Sequence, residues 1–339
     1  MTAPIVVAEV VMTDLLDRLR NAVPVWSAGM GGGLAGPQLA AAVSEAGGFG
    51  VLGVGGGLPR AAVLELVSAT RALTSRAFGA NVILPMSDGE DIAACFDARV
   101  DVLVLFWGDP QPYVADAHRR GMFVVAQCGG PEDAVAAADA GVDAVMVQGT
   151  EAGGHVKALA PLAETVPAAV RALGRRVPVI AAGGLATGAD VATALGYGAR
   201  AASLGTRFLA STEAAAVDAY KARVVAARAA DTVFTDLFDI GWPRANHRVL
   251  RNTTYTAWEA AGRPAPGARP GEGEEIGTIP AGAERVPLPR YAVMPPMSGF
   301  EGDLEAAALY AGESVERIDA VVPAAELVTR LLDELRAAS

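Results

Sequence analysis

Phe123-Val-Val-Ala-Gln-Cys-Gly-Gly-Pro131-Glu-Asp-Ala-Val-Ala-Ala-Ala-Asp139-Ala-Gly-Val-Asp-Ala144-Val-Met-Val147 decides the fold. Phe123 to Ala126 is a continuous apolar run, the signature of a strand buried on both faces. Gly129-Gly130 breaks it, and Pro131 followed by Glu132 and Asp133 opens a helix with a preset φ and a favourable dipole. The Ala-rich stretch to Asp139 then carries a helical apolar period, and Ala144 to Val147 is a second buried run. A strand, a helix and a strand in so few residues demand a parallel crossover.

Outward from this unit the pattern recurs from about Asn21 to Glu213. Its eight apolar runs are Pro24 to Ser27, Phe49 to Leu52, Phe78 to Leu84, Val102 to Phe106, Phe123 to Ala126, Ala144 to Val147, Val179 to Ala182 and Ala201 to Leu204. Eight such units match an α/β fold of the closed (β/α)8 TIM barrel type better than an open doubly wound sheet. The open dinucleotide-binding sheet also needs an acidic residue after its second strand, which neither Gly31-Gly-Gly-Leu-Ala-Gly36 nor Gly53-Val-Gly-Gly-Gly57 is followed by. The barrel is therefore assigned to residues 1–213. Residues 214–339 are expected to form a C-terminal, mostly helical subdomain. It would comprise a long Ala-rich helix from Thr212 to Asp231, a Gly/Pro-rich arm over about 262–302, and helices over Asp303–Ala311 and Pro323–Ala338. The arm reads either as a surface excursion or as a strap over the barrel mouth.

Composition narrows the function. The chain has 339 residues, 52% of them hydrophobic, enough to bury a large core. Twenty-seven basic residues against 38 acidic ones give a net charge of −11, which disfavours a nucleic-acid partner. Cys95 and Cys128 form no disulfide framework and no metal motif. Met1 to Arg20 is acidic and amphipathic, unlike a secretory signal, and no apolar run is long enough to span a membrane. These features predict a cytoplasmic protein without a metal, and leave its oligomeric state open.

In a parallel barrel the chemistry sits where the strands end. The sixth run ends in Gln148-Gly-Thr-Glu-Ala-Gly-Gly-His155, placing a histidine at the mouth beside two glycines that let main chain approach a ligand. His155 is thus the candidate base. His118 reads as a structural cation at a helix C-terminus, and His247 has no evident role. Gly183-Gly184 and Gly205-Thr206, after the seventh and eighth runs, are where these barrels hold a phosphate through backbone N–H groups. Asn81 inside the third strand and Gln148 at the end of the sixth offer amides, donor and acceptor together, to a heterocycle edge. Met30 and Gly31 follow the first run. Trp107 either lines the pocket or caps it, and Cys128 reads as small filler rather than a nucleophile.

These residues carry a resemblance. Val25-Trp-Ser-Ala-Gly-Met-Gly-Gly-Gly-Leu-Ala-Gly36, Ala46-Gly-Gly-Phe-Gly-Val-Leu-Gly53, the Gln148–His155 string, Pro178-Val-Ile-Ala-Ala-Gly-Gly184 and Leu204-Gly-Thr-Arg-Phe208 resemble the nitronate monooxygenase family. So does the tail Leu309-Tyr-Ala-Gly-Glu-Ser-Val-Glu-Arg-Ile318 with Pro323-Ala-Ala-Glu-Leu-Val328. The resemblance implies a barrel holding FMN and oxidation of alkyl nitronates by O2 to a carbonyl compound and nitrite. It places His155 as the catalytic histidine. It places Met30, Gly31, Asn81, Gln148 and Gly153 against the flavin, with Gly183, Gly184, Ser203, Leu204, Gly205 and Thr206 toward its phosphate end. Where the family usually follows the histidine with Arg-Gly, this chain has Val156-Lys157, and Lys157 suggests an anionic substrate such as propionate 3-nitronate. Two other readings remain: a flavin-dependent NAD(P)H enoyl-acyl-carrier-protein reductase, similar in fold and in the Gly-Gly-His string, and a non-catalytic FMN-binding barrel. An aldolase would want a Schiff-base lysine at a strand end, and Lys157 alone lies near one.

Overall fold

The computed structural model describes residues 24–338 apart from 283, so the expectations for Met1 to Arg20 lie outside the described residues. Eight parallel strands form one sheet: β1 (Val25–Ser27), β2 (Gly50–Gly55), β3 (Phe78–Ile83), β4 (Val102–Phe106), β5 (Phe123–Cys128), β6 (Ala144–Gln148), β8 (Val179–Ala182) and β9 (Ala201–Leu204). A two-residue strand, β7 (Gly154–His155), stands outside the sheet. Neighbours in the sheet follow chain order, and β1 pairs with β9. The ring is closed by a parallel bridge between Trp26 and Phe49, with the Ser27 N–H donating to the Phe49 carbonyl at 2.9 Å. The fold is the TIM barrel that the eight runs predict.

Register explains the division of the interior. Val102, Val104 and Phe106 of β4 lie level with Gly79, Asn81 and Ile83 of β3 and with Phe123, Val125 and Gln127 of β5. With a side-chain period of two, these positions share the inner face. At the N-terminal end that face is a plug: Trp26 and Phe49 have ring centroids 4.1 Å apart and pack with Val51, Val102, Val125, Ala144 and Ile180. Toward the C-terminal ends glycine and polar residues such as Gly53, Asn81, Gln127, Gln148 and Ser203 enter among apolar ones such as Ile83 and Phe106, and the plug gives way to a cavity.

Outside the sheet, α1 (Pro37–Glu45), α2 (Arg60–Leu73), α3 (Glu90–Ala98), α4 (Gln111–Arg119), α5 (Pro131–Asp139), α6 (Leu162–Leu173) and α7 (Gly188–Gly196) bury their apolar faces in a continuous outer core. The α7 start shows the local logic: Thr187 and Asp190 form a reciprocal capping box. After β9 comes one short turn of helix, α8 (Thr206–Leu209).

The C-terminal region carries helix, but it also holds two small sheets and is less helical than expected. The expected helix over Thr212–Asp231 is confined to α9 (Asp218–Ala226) and a 3₁₀ turn at Ala229–Asp231. Residues 211–217 form a turn between two bridged positions instead of helix: Ser211 pairs with Val322, Ala216 with Met297, and the Ala215 N–H donates to the Leu34 carbonyl at 2.9 Å. Tertiary pairing overrides the alanine propensity there. Next come β10 (Thr232–Thr235), β11 (His247–Leu250), α10 (Thr253–Ala260), β12 (Glu275–Ala281), β13 (Glu284–Pro289) and β14 (Glu301–Gly302). These strands make two small antiparallel sheets, β10-β11-β7 and β13-β12-β14. The helix expected over Asp303–Ala311 is a 3₁₀ turn at Leu304–Ala306 followed by extended chain, because Leu309 and Ala311 hydrogen-bond to the β11 backbone. The last helix, α11 (Ala324–Ala338), forms as expected and packs on α1 and α7, so its apolar face belongs to the barrel's outer core. No helix among the described residues is long and apolar enough to cross a membrane.

Candidate active site

A cavity of about 550 Å³ opens where the barrel strands end. Met30, Gly31, Asn81, Gln148, Gly153, His155, Gly183, Gly184, Ser203, Gly205 and Thr206 all line it. Leu204 does not: its side chain alternates to the opposite face and lies in the outer core. The Gly/Pro-rich arm straps the mouth, contributing Ile279, Pro280, Val293, Met294, Pro295 and Met297 to the wall. The buried Arg269 guanidinium fastens that arm, donating to the Leu237 carbonyl at 3.1 Å and to Asp239 at 2.7 Å, and lying over the Tyr291 ring at 4.2 Å.

His155 is held from several sides. Its strand β7 pairs antiparallel with β11, placing His155 opposite His247. The Val156 N–H donates to the Asn246 carbonyl at 2.8 Å. The Gln148 amide spans the loop between: its Nε2 donates to the His155 carbonyl at 3.0 Å, and its Oε1 accepts from the Lys157 N–H at 3.0 Å. Trp242 stacks on the imidazole, with centroids 4.1 Å apart and planes 20° from parallel. Within this frame His155 Nε2 is buried and has no hydrogen-bond partner. Burial, then the neighbouring His247, pushes the His155 pKa well below the ordinary histidine value, so the ring is neutral near pH 7.

His247, whose role the sequence left blank, is a neutral support. Its Nε2 accepts from the Phe238 N–H at 3.2 Å, so Nδ1 carries the proton and donates to the Ala245 carbonyl at 2.9 Å. Burial lowers its pKa to about 4. The two imidazoles lie 5.2 Å apart.

The remaining rim is fixed by main chain. Glu151 folds back so that its carboxylate accepts the Leu162 N–H at the start of α6. Gly153 meets the tail segment so closely that a Cβ there would stand 2.3 Å from the Gly312 nitrogen. The Gly312 N–H in turn donates to Thr206 Oγ1 at 2.9 Å, and the Glu313 N–H to the Glu151 carbonyl at 3.0 Å. The tail thereby joins the loop after β6 to the turn after β9. Gly183 and Gly184 take positive φ values of 111° and 71°, presenting their backbone to the cavity. Ser203 Oγ is buried without a partner, and Asn81 Nδ2 donates to the Val104 carbonyl at 3.2 Å.

Lys157 turns away from the mouth and pairs with Asp133 at 2.8 Å. It does not line the cavity, which removes the ground for an anionic substrate held there. Trp107 is likewise outside the lining and packs edge-on against Trp242, with centroids 5.2 Å apart. The Cys128 thiol is pushed up to about 12 by burial, consistent with a filler role. The sequence missed Trp242, His247, Tyr310 and the arm residues, none of which stands at a barrel-strand end. Only Tyr310 lay in a quoted motif.

A closed parallel barrel whose mouth cavity is lined by a neutral histidine with a buried Nε2 and by paired glycine turns has the layout of a barrel-mouth enzyme. The comparisons narrow the class. A family profile described as nitronate monooxygenase matches residues 13–334, and the chain belongs to that family of flavin-dependent oxidoreductases. It is 29% identical to a nitronate monooxygenase of Pseudomonas aeruginosa, across 96% of this chain and 100% of that one. It is 34% identical to a (3aS,4S,5R,7aS)-5-hydroxy-7a-methyl-1-oxo-octahydro-1H-indene-4-carboxyl-CoA dehydrogenase of Mycobacterium tuberculosis, across 74% of this chain and 69% of that one. Among solved structures it is similar to a nitroalkane oxidase from Streptomyces ansochromogenes, with a TM-score of 0.77 and 29% identity over 97% of this chain and 98% of that one. It is similar also to FabK from Thermotoga maritima, with a TM-score of 0.77 and 28% identity over 95% and 96%.

Proposed function

We propose that this protein is an FMN-dependent nitronate monooxygenase that uses O2 to convert alkyl nitronates to a carbonyl compound and nitrite. The observation that carries the reading is the buried, unpartnered Nε2 of a neutral His155 on the wall of the barrel-mouth cavity. The residues present fit a flavin mononucleotide. The cavity is within the ~300–1,000 Å³ range of small-ligand sites, and its lining sets side-chain amides, Asn81 and Gln148 among them, and the orphaned Ser203 hydroxyl beside glycine-rich turns. Backbone of Gly183, Gly184, Gly205 and Thr206 would hold the phosphate, and Asn81 and Gln148 would face the ring system. When bound, the flavin supplies the electron acceptor that the nitronate carbon requires and the route from substrate to oxygen.

The protein's own part is positional and acid–base. A neutral His155 takes the α-proton of a nitroalkane at Nε2 and so generates the nitronate inside the cavity; a substrate supplied as nitronate needs no such base. Trp242 and the β7–β11 pairing fix the imidazole plane against the site, and the arm keeps the mouth dry. A protonated His155 is disfavoured by burial, so a role as a base fits the site better than a role as a standing cation.

The similarity to FabK supports a second reading, reduction of an enoyl thioester with electrons from NADH or NADPH. Anaerobic addition of a nitronate and then a nicotinamide to the purified protein, followed in the visible spectrum, separates the two. Bleaching by the nitronate alone is expected. Bleaching only by the nicotinamide would give the reductase, and a colourless protein in which FMN restores no band would overturn flavin binding itself.

A further inference from the structure

We propose that the outer part of the cavity, walled by the arm, is a subsite for an uncharged, apolar substituent, and that it discriminates against substrates carrying a carboxylate at their far end. This rests on the reading above and specifies the substrates it would take.

The lining has a property that composition does not foretell. Among the described residues, no Lys, Arg, Asp or Glu lines the cavity, although the chain has 65 such residues in all. The one cation that the sequence placed near the mouth, Lys157, is engaged by Asp133. What the arm contributes is apolar: Ile279, Pro280, Val293, Met294 and Met297, facing Met86 from the turn after β3. Met294 is shared by two apolar clusters, one under the arm and one that includes Phe106 and Trp242, so it joins arm to barrel at the mouth. Tyr310 gives its hydroxyl proton to the Val293 carbonyl at 2.8 Å and so has no proton left for a ligand.

An alkyl chain in this space is desolvated by side chains that adapt to its shape, methionine above all. Each buried methylene is worth roughly a fourfold gain in affinity. A terminal carboxylate entering the same space loses its water and finds no cation to replace it. The net charge of −11 acts in the same direction at longer range.

A matched pair tests this. Calorimetric titration of the protein as purified compares hexanamide with adipamate, which has the same head group and a carboxylate at the tail. Hexanamide is expected to bind about tenfold tighter or more, and equal or tighter binding of adipamate would overturn the subsite. In parallel, kcat/KM is measured on the flavin-loaded protein for the nitronates of 1-nitrohexane and 6-nitrohexanoate, with a similar preference for the first. Met294→Lys, or Ile279→Lys should the first variant not fold, is expected to close the gap by supplying the missing cation. If neither nitronate is oxidised while the amide preference holds, the nitronate reading falls and the apolar subsite stands. Oxidation of both nitronates with equal kcat/KM would remove the subsite and leave the nitronate reading intact.

Discussion

The cavity has two walls of different construction. The barrel rim is made of turns that directly follow strands, so each lining residue is positioned by the few residues before it. The arm is made of chain that reaches the cavity only through contacts with distant segments, such as Arg269 on Asp239 and the Ile240–Ala292 bridge. Polar groups suited to chemistry are concentrated on the rim, with His155, Gln148, Asn81 and Ser203, while the arm supplies side chains suited to shape. Reaction and selectivity are therefore carried by separable parts of one chain, and substitutions on the two walls should fail differently.

The largest effect is expected on the rim. His155→Asn should reduce turnover of neutral nitroalkanes by about 10²–10⁴-fold while leaving preformed nitronates within about tenfold. Steady-state assays on both forms of one substrate decide it, since equal losses on both would deny His155 its role as a base. On the arm, Arg269→Met should cost about 1.5–3 kcal/mol, because Asp239, Glu272 and the Leu237 carbonyl lose a charged donor. Thermal melts and limited proteolysis near residues 262–302 would register it, with KM rising more than kcat falls.

A pH effect ties the rim to β11. His155 and His247 both have folded pKa values below the unfolded ~6.5, so their contribution to stability is complete above that value. It drains away as pH falls below about 6.5, for His247 down to about 4, because the unfolded chain there binds protons that the folded one refuses. Each histidine contributes up to ~1.4 kcal/mol per pH unit in that window. Melting temperatures of wild type and His247→Asn between pH 8 and 5 should converge as pH falls. The smallest effect belongs to Lys157→Met: with its half-buried ion pair worth about 0–1 kcal/mol, it should leave kcat/KM for nitronates within twofold.

The same contrast explains what the sequence could tell. Apolar runs and glycine turns are local signals, so the eight strands, their closure into a barrel, and the cavity position of every residue the resemblance placed against the flavin except Leu204 were readable, while Lys157 and Trp107 stand outside the lining. Leu204 failed on parity: it is one residue beyond Ser203, and a strand turns alternate side chains to opposite faces. The C-terminal region was harder because its conformation is decided by partners. Residues 212–217 look helical by composition but are held out of helix by pairing at Ala215 and Ala216, and the arm left two readings open until Met294 and Met297 were seen in the wall. His247 and Trp242 carry no motif at all, since their meaning lies in facing His155 across a two-residue strand.

The knot of contacts among Gly153, Thr206 and Gly312 has a consequence for how the protein is made. All eight barrel strands have left the ribosome well before Gly312 does, yet the loop bearing His155 and the turn after β9 are joined only when that residue arrives. The helix that then covers α1 and α7 comes later still. During synthesis the barrel must therefore wait with an unfinished mouth and an uncovered outer face, a period in which the nascent chain is most open to chaperones and to misassociation.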